Sequence, residues 1–125
     1  MLEVGDGDED AELATDVRGL VADDHTGVLV LADGATCHGA AASSAPDARA
    51  ESFEQSLNAV LAAGDPARMS GWCRSNRTLG RWLGATAPRS LAVLAALAGG
   101  RRWEAAAQYL GAPFGVGYHV AAWWR

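Results

Sequence analysis

The sequence predicts an α/β fold, a small mixed sheet with helices packed on it, and three observations point there. Val28, Leu29, Val30 and Leu31 form an unbroken apolar run that ends in Ala32-Asp33-Gly34. A short run apolar at every position reads as a strand covered on both faces, as in a parallel sheet. Several other stretches place apolar residues at helical spacing, and the C-terminal stretch alternates about a Gly- and Pro-containing turn. At 125 residues, half of them hydrophobic, the chain is read as a single domain, 1–125, with a core of its own.

Taken in order, Leu2-Glu3-Val4 reads as the stub of a strand and Gly5 to Asp8 as a turn. Leu13, Val17, Leu20 and Val21 then form one helical stripe, with Glu9, Asp10 and Glu12 in the first turn, where the helix dipole favours negative charge. Asp23-Asp24-His25 reads as a solvated helix end. After the strand, a small-residue loop leads to Pro46 and Asp47, which open a second helix. Phe53, Leu57, Val60 and Leu61 are its apolar stripe and Gly64 its stop. Asp65-Pro66 restarts the chain as a cap followed by proline at the first helical position. Two short helical pieces follow, one carrying Met69, Trp72 and Cys73, the other Leu79, Trp82 and Leu83 up to Gly84. Pro88 begins the most apolar helix, whose leucines, valine and alanines leave almost no polar face before Gly99-Gly100. The last stretch reads as two strands joined by Gly111 to Gly115. Val116, Tyr118, Val120, Ala122 and Trp124 share one face, and Gly117, His119, Ala121 and Trp123 the other.

Charge is divided unevenly. Residues 1–65 hold 14 acids and two Arg, a formal −12, whereas residues 66–125 hold eight Arg and one acid, Glu104, a formal +7. Either the two halves attract each other, or the basic half, with Trp72, Trp82 and Trp103 among its arginines, meets a nucleic acid. No nucleic-acid motif accompanies the arginines, so no nucleic-acid partner is expected. No apolar run reaches bilayer length, so no membrane partner is expected either. The acidic start lacks the basic-then-apolar order of a signal peptide, and Cys37 and Cys73 make no disulfide framework. The expectation is a cytoplasmic protein with free thiols.

Ligands in open α/β folds lie past the carboxyl ends of the strands, so Asp33, Thr36, Cys37 and His38 are the first places to look for chemistry. Of these, Asp33 and His38 are the candidate catalytic residues, His38 as the acid–base group. Cys37 and His38 point opposite ways on extended backbone, which argues against a Cys–His nucleophile pair. His119, in the last strand, reads as a packed core or interface histidine. Neither a phosphate-binding glycine loop nor a zinc-type Cys/His spacing is present.

Two passages carry a resemblance. GVLVLADGATCHGAAASSAPDARAESFEQSLNAVLAAGD, residues 27–65, resembles the second half of class III extradiol ring-cleavage dioxygenases of the subunit-B-like group, in their alanine-rich actinobacterial branch. YLGAPFGVGYHVAAWW, residues 109–124, resembles the ending of that branch. The resemblance implies the C-terminal half of that fold. It also implies a non-haem Fe(II) held by two His and a carboxylate, a catechol-type substrate and a further His that moves protons. In the family the two metal histidines lie in the N-terminal half, upstream of the matched passages. The proton-moving His follows the strand as Gly-x-Ser-His; here Thr36 stands in that place, and His38 lies two residues later. No counterpart of the metal carboxylate is found, and no Asp or Glu lies between Thr78 and Gly100.

The expectation is therefore a dioxygenase-like domain that is non-catalytic alone, with no cofactor of its own and Fe(II) implied by the resemblance only. Such a chain is a truncated product, one half of a complex, or a non-catalytic relative with an interaction role. A homo-oligomer or hetero-complex is expected, since half a fold leaves sheet edges and apolar faces uncovered. The alternative is an active Fe(II)-dependent oxidoreductase that cleaves a catechol-type ring once a partner chain or a longer parent completes it.

Overall fold

The computed structural model describes residues 15–19, 25–39 and 45–125. Four helices pack on a two-stranded antiparallel sheet, an α/β arrangement. They are α1 (residues 15–19), α2 (Arg49–Ala63), α3 (Pro66–Trp82) and α4 (Ala87–Ala98), followed by strands β1 (Glu104–Gly111) and β2 (Tyr118–Trp124). Among the described residues no helix is long and apolar enough to cross a membrane. The readings of residues 2–14, 20–24 and 40–44 lie outside the described residues.

Local chemistry sets the helix boundaries. Asp47 accepts the Arg49 N–H just before α2, and Gly64 ends α2 at φ 59°, in the left-handed region. Asp65 caps α3 by accepting the Arg68 N–H at 3.1 Å, with Pro66 at the first position. The two short pieces expected here are one continuous helix of 17 residues. Its middle, Arg74 to Thr78, shows no apolar spacing because most of that turn faces solvent. Leu83 and then Gly84, at φ 72°, close it.

The core is built from α2, α3 and α4. Phe53 and Leu57 of α2 meet Met69, Trp72 and Cys73 of α3, with Leu83 and Leu91 beyond them. Phe53 and Trp72 pack in a tilted pair with ring centres 5.3 Å apart, and the Trp72 indole N–H donates to Ser56 Oγ. The hairpin lays its inner face on α2. Ala105 pairs with Trp123, Ala107 with Ala121 and Leu110 with His119, with an irregularity at Gln108. The Trp123 N–H donates to the Leu61 carbonyl at 2.6 Å. Tyr118, Val120, Ala122 and Trp124 point outward, the alternation expected from the sequence.

The apolar run is where the structure departs from the sequence reading. Residues 27–32 are extended but join no sheet, and among the described residues their main chain makes no hydrogen bond. Val30 packs on the core, whereas Leu29 and Leu31, on the other side, are 84% and 74% exposed. Among the described residues the covered parallel strand that the run's composition predicts is exposed on one face and unpaired at both edges, and the one sheet is antiparallel.

Gly64 makes the most demanding turn. Its amide environment includes the Trp103 N–H, which donates to the Gly64 carbonyl, and a Cβ there would overlap the Trp103 carbonyl oxygen. Gly64→Ala adds that overlap to the strain of positive φ and is expected to cost about 2 kcal/mol or more. A lowered urea midpoint at unchanged slope is the expected readout.

Candidate functional site

The segment after the apolar run is threaded between two walls. Gly34 donates its N–H to Gly117, Gly117 donates to Ala35, and His38 donates to Gly115, so residues 34–38 run antiparallel to the entry of β2. On the other side Thr36 donates its N–H to the Leu83 carbonyl at 2.8 Å. These bonds fix where the side chains of residues 35–38 go.

At the centre sits Glu54 of α2, 3% exposed. Its carboxylate accepts the Ala35 main-chain N–H on Oε1 and the His119 ring N–H, through Nε2, on Oε2. His38 Nε2 donates to Oε1 over a longer 3.4 Å. Gly34 and Gly117 wall the carboxylate; a Cβ on Gly34 would lie 2.6 Å from Oε1, and one on Gly117 would overlap it. Burial pushes the Glu54 carboxyl up, but His119, the Ala35 N–H and His38 together outweigh it and hold the group below the ordinary carboxylate range. The centre is therefore a buried anion on α2 with three donors from two segments far apart in sequence, residues 34–38 and β2.

An open cleft of about 200 Å³ lies beside this centre. His38 and the α2 residues Glu51, Glu54 and Gln55 line one side, and Leu110, Gly111 and Ala112 the other. The His38 side chain is 17% exposed, so it touches both the buried carboxylate and the cleft. A histidine with a carboxylate behind it and a cleft beside it is the arrangement of a general acid–base group. With Nε2–H on Glu54, Nδ1 is left as the nitrogen that takes up or gives a proton.

The remaining sequence candidates lie elsewhere. Asp33 is exposed and does not line the cleft; its carbonyl accepts the N–H groups of Thr86 and Ala87 at the start of α4, and its own N–H donates to Thr86 Oγ1. Thr36 Oγ1 donates to the Leu83 carbonyl. Cys37 is buried, and burial, followed by Asp47, raises its thiol pKa, the opposite of what a nucleophile needs. Cys73 is pushed up to about 12, burial outweighing Arg77 and Arg74.

Sequence reasoning missed Glu54, and it read His119 as packed without naming its partner. A signal was available. Glu54 lies on the α2 stripe, next to Phe53 and three residues before Leu57, so it is a charged residue on the buried face of its helix. A carboxylate placed there needs donors, and two of the chain's three histidines supply them.

His38 and His119 each bring Nε2 directly to an oxygen of the one Glu54 carboxylate, and among the described residues no group of three His, Cys, Asp or Glu side chains is placed to hold a metal ion. No family model, no curated protein and no solved structure matches this chain.

Two outcomes follow from this geometry. A carboxyl with a depressed folded pKa stabilises the protein above the unfolded value, about 4.3, and that contribution is lost as pH falls through the folded value. Stability is expected to fall as pH drops below the ordinary glutamate range, and Glu54→Gln to flatten the profile there. Glu54→Leu is expected to cost about 3 kcal/mol, because it leaves the Ala35 N–H and the His119 N–H buried without an acceptor at roughly 1–3 kcal/mol each. Chemical denaturation across pH reads both. Separately, Cys37 and Cys73 are expected to stay silent toward a thiol-disulfide reagent at pH 8 in the native protein and to react together on unfolding.

Proposed function

We propose that this chain is a class III extradiol dioxygenase-like domain that does not cleave rings alone and works by assembly. It presents an acid–base histidine, His38, to a partner that completes its fold. The observation that carries this reading is the bare segment at residues 27–32. Its main chain is unbonded among the described residues and Leu29 and Leu31 are open to solvent, a few residues before the histidine. An extended apolar segment with free edges is a site for strand addition. The outward face of the hairpin adds Tyr118, Val120 and Trp124, all close to half exposed. Either a second copy or a different chain is the partner, in the cytoplasm, where both cysteines stay as the free thiols they are here.

The His38–Glu54 pair beside a cleft favours a second reading, an active enzyme once completed. In that reading a partner or a longer parent supplies the ligands of an Fe(II) that activates catechol and oxygen. This chain's own part is confined to proton handling at His38, with Glu54 fixing the ring.

Purified chain given ferrous ion and a catechol in air is expected to yield no ring-cleavage product, and light scattering at micromolar concentration is expected to give a mass above that of a monomer. Leu29→Asp combined with Leu31→Asp is expected to leave the far-ultraviolet spectrum unchanged and to abolish the association. A monomer that cleaves catechol unaided contradicts the proposal.

A further inference from the structure

We propose that His119 is a positioning residue, held as the neutral Nε2–H tautomer, and that it confines proton uptake at the Glu54 centre to His38. Two imidazoles address one buried carboxylate, and their surroundings differ. The His119 side chain is 8% exposed, and its Nδ1 is buried with no hydrogen-bond partner. In the neutral tautomer that atom is a lone pair, which an interior tolerates. In the imidazolium it is a buried N–H donor with no acceptor among the described residues, the rarer and more costly case. Its Nε2–H is committed to Glu54 Oε2. His38 lies at the cleft, shares Oε1 with the Ala35 N–H, and has solvent within reach of its ring. The second proton therefore goes to His38.

The charged surroundings agree. From α2, Glu51 lines the cleft with Glu54, so the negative field falls on the cleft side, at His38. From the loop before α2, Asp47 is already paired with Arg49 at 2.6 Å. Cys37 is a buried thiol, and Leu110 and Gly111 of β1 bring no charge. Gly34 and Gly117 leave the carboxylate no room to turn away from either ring. His119 thus acts through Glu54: it fixes the carboxylate that fixes His38.

This inference rests on reading His38 as the acid–base group, and its test uses no substrate, so absent ring cleavage leaves it standing. Long-range proton–nitrogen correlation spectra of the full-length, nitrogen-labelled protein report the tautomer of each histidine between about pH 8 and pH 5. His119 is expected to keep Nε2–H and a bare Nδ1 throughout, while His38 becomes doubly protonated. His119→Gln keeps an N–H donor for Glu54 and is expected to leave the His38 midpoint where it is in the wild type. His119→Leu removes the donor, leaves more of the carboxylate's charge to His38, and is expected to raise that midpoint measurably. Double protonation of His119 before or together with His38 overturns the proposal, as does a Nδ1–H tautomer at His119. Equal midpoints in the Gln and Leu variants also overturn it, and the wild-type spectra decide the matter if the Leu variant does not fold.

Discussion

The Glu54 carboxylate keeps its charge inside the protein because two segments bring it three donors: the Ala35 main chain and the His38 ring from residues 34–38, and the His119 ring from β2. Burying an unpaired carboxylate is among the costliest acts in a protein interior. Once its donors are in place, the same group penalises any arrangement that withdraws one of them. Here it ties α2 to β2 and to the extended segment that carries His38, so the position of the histidine and the docking of the hairpin are one constraint. The glycines at 34 and 117 belong to that constraint, since any side chain there would occupy the carboxylate's space.

That constraint divides the molecule in two. On one side α2, α3 and α4 enclose a finished core around Phe53, Leu57, Met69 and Leu83, with indole N–H groups satisfied by Ser56, Ala98 and Leu61. On the other side the apolar segment before Asp33 and the outward face of the hairpin are open. The cleft with His38 lies off the other end of that segment. A buried charge thus fixes one histidine, and exposed apolar surface lies a few residues before it.

Much of this was legible from residue types. Asp65-Pro66, Gly64 and Gly99 mark helix ends by mechanisms that need no tertiary context, and all three do so here. The period of two in residues 117–124 assigns each face of β2 correctly, because burial on one side of a strand enforces the alternation. The α3 helix was not legible as one piece, since its solvent-facing Arg74 to Thr78 turn carries no apolar signal. Val28 to Leu31 misled for a different reason: composition reports what a strand is suited to pack against, and the neighbours that would cover Leu29 and Leu31 are not among the described residues. His38 was picked out as a candidate from its place after that run, and the structure puts it at the cleft beside Glu54. Its partner on α2 was hidden because charged residues on amphipathic helices usually face water, and only its position in the Phe53–Leu57 stripe sets Glu54 apart.

The ionisation of Glu54 is the quantity on which the site depends. Carbon-detected titration of the side-chain carboxyl in protein labelled at glutamate reads it without perturbing the centre. The account requires the Glu54 resonance to keep its carboxylate position from neutral pH down to below the ordinary glutamate range. A resonance already in its protonated position at pH 6 to 7 contradicts it, because a neutral Glu54, with an O–H on one oxygen, would not accept from Ala35, His38 and His119 together as the site requires.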